Sequence, residues 1–317
     1  MATRKAKATV SRAKKAGGAV KPKTQAAKTE ITKERVVYRT PAKKGALAKF
    51  FAKKYEGTEN IFNIFNKPAI IGALIAEIIG VFVLTTIFMT VGGDPLYMMF
   101  GVVGLSIVVY SLSGAHLNPL ISLGAFVTRR ISGIRFLFYV IAQVVGAMLA
   151  YVVLKQFLTG APEVSAEAAA YGQQAPELLK MAELTVREGV ALEWYLAGVE
   201  FLGAILFALF FARGLQYRKS VFTFAFTAGV GLFTGLLSAI LVTSKYLGLA
   251  GAFVLNPAIA VALETFNAPD PTVSGTETLN TEVPVMLMIF AAAPLIGGVI
   301  GFLLNDVLAA TNKSVEA

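Results

Sequence analysis

A chain of 317 residues that is 56% hydrophobic and only 15% charged is too apolar for a soluble globular protein and falls among polytopic membrane proteins. With no cysteine and one histidine, His116, it cannot form a disulfide, a thiolate metal site or a multi-histidine centre. Its net charge of +10 is concentrated at one end: residues 1–55 carry 17 Lys and Arg against Glu30 and Glu34, which leaves the remainder net acidic.

Residues 1–42 are rich in Lys, Ala, Thr and Gly, with almost no large apolar side chain. Such a composition cannot offset its ordering entropy by burial, so a disordered basic tail is expected. The basic stretch is not followed by the apolar run of a signal peptide. Joined to an apolar body, it suits the anionic face of a membrane better than nucleic acid. In residues 43–60, Leu47, Phe50, Phe51 and Tyr55 recur at helical spacing while Lys43, Lys44, Lys49 and Lys53 fall on other faces. That pattern predicts an amphipathic segment lying in the membrane interface.

Six long apolar segments follow, over 68–92, 95–112, 133–157, 190–212, 220–242 and 284–308, with two short apolar runs, Leu120 to Val127 and Ala258 to Thr265, among them. At ~1.5 Å rise per residue a run of about 11 residues reaches roughly 16 Å, half of a ~30 Å hydrocarbon core. Each short run is therefore expected to be a half-spanning re-entrant helix. The order is long, long, short, long, repeated once. Three full spans per half oblige the second half to enter the membrane from the opposite side, so the expected architecture is an all-α inverted repeat. Its domain should cover 61–310, with halves at about 68–157 and 190–308, and residues 311–317 should form a short cytoplasmic end.

The loops orient this body. Arg129, Arg130 and Arg135 follow the first short run, and Arg213, Arg218 and Lys219 join the fourth and fifth spans. Loops 158–189 and 264–283 are acidic by contrast. Both termini and the basic loops are expected on the cytoplasmic side, with the plasma membrane as the location.

Both short runs open on the same dipeptide. Residues 113–120 read SGAHLNPL and residues 251–258 read GAFVLNPA, which places Asn118-Pro119 and Asn256-Pro257 138 residues apart. Asn is a favoured N-cap, and Pro at the first helical position loses nothing by lacking an N–H. The halves also match in their first spans, where Glu77 precedes Gly80 and Glu200 precedes Gly203. A carboxylate so deep in a span costs on the order of 3 kcal/mol unless it is partnered. Both should face the bundle and accept hydrogen bonds from the loops before the short helices.

On these residues, together with Tyr139 to Gln143 (YVIAQ) and Pro294 to Gly298 (PLIGG), the chain resembles the major intrinsic proteins, the aquaporins and glycerol facilitators, over 68–308. The resemblance implies an hourglass of six tilted helices with two half-helices meeting at its centre. It also implies a homotetramer with one pore per subunit, a passive channel for water and small neutral solutes in the lipid bilayer, no cofactor and no chemistry. Asn118, Pro119 and Leu120, with Asn256, Pro257 and Ala258, would then be the pore motifs. Glu77, Glu200 and His116 would hold the loops.

The chain departs from the family at several points. Leu120 stands where Ala is usual, which predicts a narrower waist. Ile259 and Ala260 stand where glycerol facilitators have Arg and Asp. Phe253 and Phe100 are the expected filter partners of Ile259, although the stretch from Phe100 to the first motif is two residues short. Inverted repeats with broken helices also describe secondary transporters, which leaves that alternative open. A membrane anchor whose working part is a DNA-binding tail is a further one.

Overall fold

The computed structural model describes residues 68–160, 164–165, 170–172, 192–217, 219–248, 253–267 and 285–315. The basic tail of 1–42, the interfacial segment of 43–60, Gly251, Ala252 and most of the acidic loops lie outside the described residues.

Eight α-helices account for nearly all of what is described: α1 Pro68–Val91, α2 Pro95–Ser113, α3 Pro119–Val127, α4 Gly133–Thr159, α5 Leu192–Gly214, α6 Val221–Val242, α7 Pro257–Asn267 and α8 Ala293–Val315. A π-helical turn, Thr243–Leu247, carries the fifth span past its expected limit at 242, and a second, Met288–Ala292, leads into α8 within the expected sixth span. The last helix continues to Val315.

Six of these helical stretches are long and apolar enough to cross a membrane. Their outer faces are apolar too. On α1, Ile71, Ile75 and Ile79 are exposed while Ile70, Ala73, Glu77, Val81 and Leu84 are buried, so apolar residues surround the helix, as lipid contact requires. The helix ends follow local chemistry. Asp94 accepts from the N–H groups of Leu96 and Tyr97 ahead of Pro95, and Ser132 and Ser220 cap α4 and α6. Gly114, at φ 85°, closes α2 in a left-handed conformation.

The short helices have 9 and 11 residues, roughly 14 and 17 Å at ~1.5 Å per residue. Neither crosses a ~30 Å core. α3 packs on α8 and α7 packs on α4, so each half-helix leans on the last helix of the other half. The repeat recurs in backbone contacts. Gly146 of α4 lies against the carbonyl of Ile78 on α1, and Gly297 of α8 lies against the carbonyl of Phe201 on α5. Any Cβ at either glycine would collide with that carbonyl, which is why the last helix of each half can approach the first so closely.

Candidate functional site

The two Asn-Pro turns meet at the centre of the bundle. Asn118 adopts extended backbone (φ −164°, ψ 129°), and its side-chain oxygen accepts from the N–H of Leu120 at 2.9 Å. The Asn256 side-chain oxygen accepts from the N–H of Ala258 at 3.1 Å. Each asparagine also reaches across to the other loop. Asn118 Nδ2 donates to the Leu255 carbonyl at 2.7 Å, and Asn256 Nδ2 donates to the Leu117 carbonyl at 3.0 Å. Capping and reciprocal latching use one oxygen and one hydrogen of each amide. The second hydrogen of each NH2 remains, and both asparagines border a cavity.

Those carbonyls point inward because the residue before each asparagine is left-handed. Leu117 has φ 53° and Leu255 φ 44°, a conformation that is costly for a branched side chain and needs support. Support comes from one device used twice. Glu77 accepts from the N–H groups of His116 at 3.1 Å and Leu117 at 2.7 Å. Glu200 accepts from those of Val254 at 2.8 Å and Leu255 at 3.1 Å. Three residues beyond each glutamate, Gly80 leaves room for the Leu117 side chain and Gly203 leaves room for that of Leu255. The carboxylate holds the loop N–H groups while the glycine one turn on receives the leucine, which gives the Glu-x-x-Gly pattern its physical meaning.

The first loop carries further polar ties. Gln143 Nε2 donates to Glu77 at 2.7 Å and to Ser122 Oγ at 3.0 Å, and Ser122 Oγ lies 3.1 Å from His116 Nδ1. The Tyr139 hydroxyl donates to the Ser113 carbonyl at 2.8 Å. Because Gln143 already supplies the hydrogen that Ser122 accepts, the serine hydroxyl has its own hydrogen to give. We take that hydrogen to go to His116 Nδ1, which makes Nε2–H the ring donor; the opposite tautomer would reverse the bond. In the second half the contact of Gly297 with Phe201 sets the register, and Pro294 stands where Gln143 stands in the first. Among the described residues no side chain joins Glu200.

The cavity at this junction offers about 10 Å³ to the centre of a water molecule, room for about one water. Asn118, Asn256, His116, Ala115, Leu117 and Val254 supply its polar and loop wall. Leu84, Met98, Val102, Leu232, Phe207 and Phe211 supply its apolar wall. The last six were not singled out in the sequence, although a signal was there. Leu84 and Phe207 each follow their glutamate by seven residues, two helical turns along the same face.

Two expectations change, those for Phe100 and Leu120. Phe100 is 60% exposed, on the side of α2 away from Met98 and Val102, so it faces out of the bundle and cannot be a filter residue. The two-residue shortfall noted in the sequence is resolved by Met98, which borders the cavity in its place. Leu120 does not narrow the waist: it is fully buried, with its carbonyl and Cβ against Gly298 of α8, on the side where α3 packs. Phe253 and Ile259 are buried, and neither borders this cavity. Among the described residues no cluster of His, Cys, Asp and Glu could hold a metal ion.

Residues 64–305 match the sequence profile of the family described as major intrinsic protein. Aquaporin-1 from Ovis aries is 44% identical over 54 residues, 17% of this chain and 20% of that protein. Aquaporin PIP1-2 from Zea mays is 35% identical over 88 residues, 27% of this chain and 30% of that protein. The matched stretches thus span a fifth to a third of these curated relatives. The X-ray structure of the aquaglyceroporin from Plasmodium falciparum superposes with TM-score 0.56 at 17% identity, covering 78% of this chain and 99% of that one.

Proposed function

This chain belongs to the major intrinsic protein family and is an integral, multi-pass membrane protein, and on that premise we propose that it is a passive channel for water and small uncharged solutes. The observation that carries the reading is the meeting of two capped half-helices, each asparagine with one amide hydrogen left at a shared cavity. A solute passing in single file exchanges hydrogen bonds with those amides and with His116. The half-helix N-termini bring about half a positive charge each to the centre, the account generally given for cation and proton exclusion in channels of this type.

Glu77 and Glu200 serve as loop supports in this reading, because each carboxylate is occupied on both oxygens by loop N–H groups. That geometry favours a channel over a transporter with a carboxylate relay. Phe253 and Ile259 form the outer ring, apolar where the family has a guanidinium. We assign no reaction and no cofactor. The protein assembles as a homotetramer in the plasma membrane, with its basic loops and both termini in the cytoplasm and the basic tail at the anionic lipid surface. Stopped-flow swelling of proteoliposomes tests the channel: water and glycerol permeabilities above those of empty vesicles are expected. Values equal to empty vesicles for water, glycerol, ammonia and peroxide would refute it.

A further inference from the structure

On one side of the asparagine pair, towards the end where α2 stops and α3 runs out, the cavity wall changes from aliphatic to aromatic. Phe207 and Phe211 follow Glu200 by seven and eleven residues and both border the cavity. Phe211 is the hub. Its ring stands edge-on to His116 (6.1 Å between centroids, 86°), to Phe207 (6.3 Å, 85°) and to Phe224 (5.1 Å, 83°), and lies 6.2 Å from Phe302. Phe224 and Phe302 are fully buried. Edge-to-face contacts at these separations are favourable and hold a ring in place. The first half presents no such hub to the cavity: Phe88, at the matching distance from Glu77, is buried and does not border it.

The aromatic wall is braced from the surface. Arg130 makes a two-pronged ion pair with Asp306, at 2.6 and 3.1 Å, and its guanidinium lies 5.2 Å over the Phe302 ring. Asp306 is one helical turn beyond Phe302 on α8. The ion pair thus fixes Phe302, and Phe302 backs Phe211.

We propose that Phe211 is a specificity-determining residue: with His116 it forms a second constriction, on the α3 side of the asparagine pair, that sets the largest solute the protein passes. The proposal rests on the channel reading. A solute leaving the two asparagines on this side meets the rings of Phe207 and Phe211 beside His116. Water can keep one hydrogen bond there and pass. A polyol loses several at once and must also displace a ring whose position is set by Phe224 and Phe302. Asp306 is a positioning residue, acting through Arg130 and Phe302.

Stopped-flow swelling of vesicles holding the full chain, with water and glycerol measured on the same preparation, tests this. The ratio of glycerol to water permeability should rise about tenfold in Phe211→Ala, equivalent to lowering one barrier by about 1.4 kcal/mol. It should rise less in Phe211→Leu, which keeps the site filled and carries the test if the alanine variant fails to fold. Asp306→Asn should raise the ratio least, an order that reduced stability alone would not produce. A silent wild type that conducts once Phe211 is replaced also supports the constriction. Equal ratios in all variants, at fluxes above empty vesicles, overturn the constriction and leave the channel reading standing. Fluxes at the empty-vesicle level throughout overturn both.

Discussion

The two Asn-Pro turns are near-copies in backbone and unequal in what holds them. Each has a left-handed leucine, a capped proline helix and a glutamate accepting two loop N–H groups. The first turn adds Gln143, Ser122, His116 and Tyr139. The second has Pro294 in the place of Gln143 and, among the described residues, relies on Glu200 alone. An internal repeat thus preserves the geometry the site needs while the surrounding polar support drifts, because one carboxylate per loop is enough to fix the backbone.

The largest test of that inequality is a pair of isosteric changes. Glu200→Gln turns an amide NH2 towards a loop N–H with no acceptor to spare, leaving a buried donor unpaired at about 1–3 kcal/mol. Glu77→Gln should cost less, because Gln143 Oε1 has no partner among the described residues and can accept the new NH2 after its own amide turns. Unfolding of the purified variants in detergent should rank Glu200→Gln as the less stable. Equal losses would show that Gln143 is no reserve.

Next in size is the latch between the loops. Asn118→Ala and Asn256→Ala should each cost about 1–2 kcal/mol through a lost cap and a lost cross-loop bond. The double variant should fall short of the sum by at least about 0.5 kcal/mol if each bond positions the other. Strict additivity would make the two bonds independent.

The halves are alike at one position where family members are usually not: Ile121 and Ile259 each stand three residues after their asparagine. Ile259→Arg makes the halves differ there and would supply a fixed donor at the proposed outer ring. The water-to-glycerol permeability ratio should rise and any residual proton leak should fall. A folded, conducting variant with both quantities unchanged would remove Ile259 from the pore lining.

The smallest effect is spectroscopic. His116 is the only histidine, so its ring nitrogens can be followed without interference. Nitrogen NMR of the ring should find the proton on Nε2 in the wild type and a mixture of tautomers in Gln143→Leu, where Ser122 is released from its donor. A proton on Nδ1 in the wild type would reverse the assigned direction of the Ser122 bond.

Much of this was legible in residue order. Periodicity and length separated full spans from half-spans to within a few residues, and the doubled Asn-Pro and Glu-x-x-Gly patterns marked the site, because capping, turn chemistry and the cost of a carboxylate in lipid act over a few neighbouring residues. Phe100 shows where that stops. Its Phe-Gly pair matched a familiar pattern, but which face of α2 looks inward depends on how α2 packs against α6, and that phase put Met98 at the cavity and Phe100 outside. Leu120 was misjudged for the same reason, since only the approach of Gly298 on α8 decides where its side of α3 is buried.

By itself the sequence determined an all-helical, six-span membrane chain with an inverted repeat and two capped half-helices. The tertiary structure alone decided that each asparagine donates to the carbonyl before the other, that the leucines turn left-handed to offer those carbonyls, and that Phe211 closes one wall of the cavity. The two asparagine bonds join residues more than a hundred positions apart. Their geometry is set by helix phase and close approach, which no local pattern encodes.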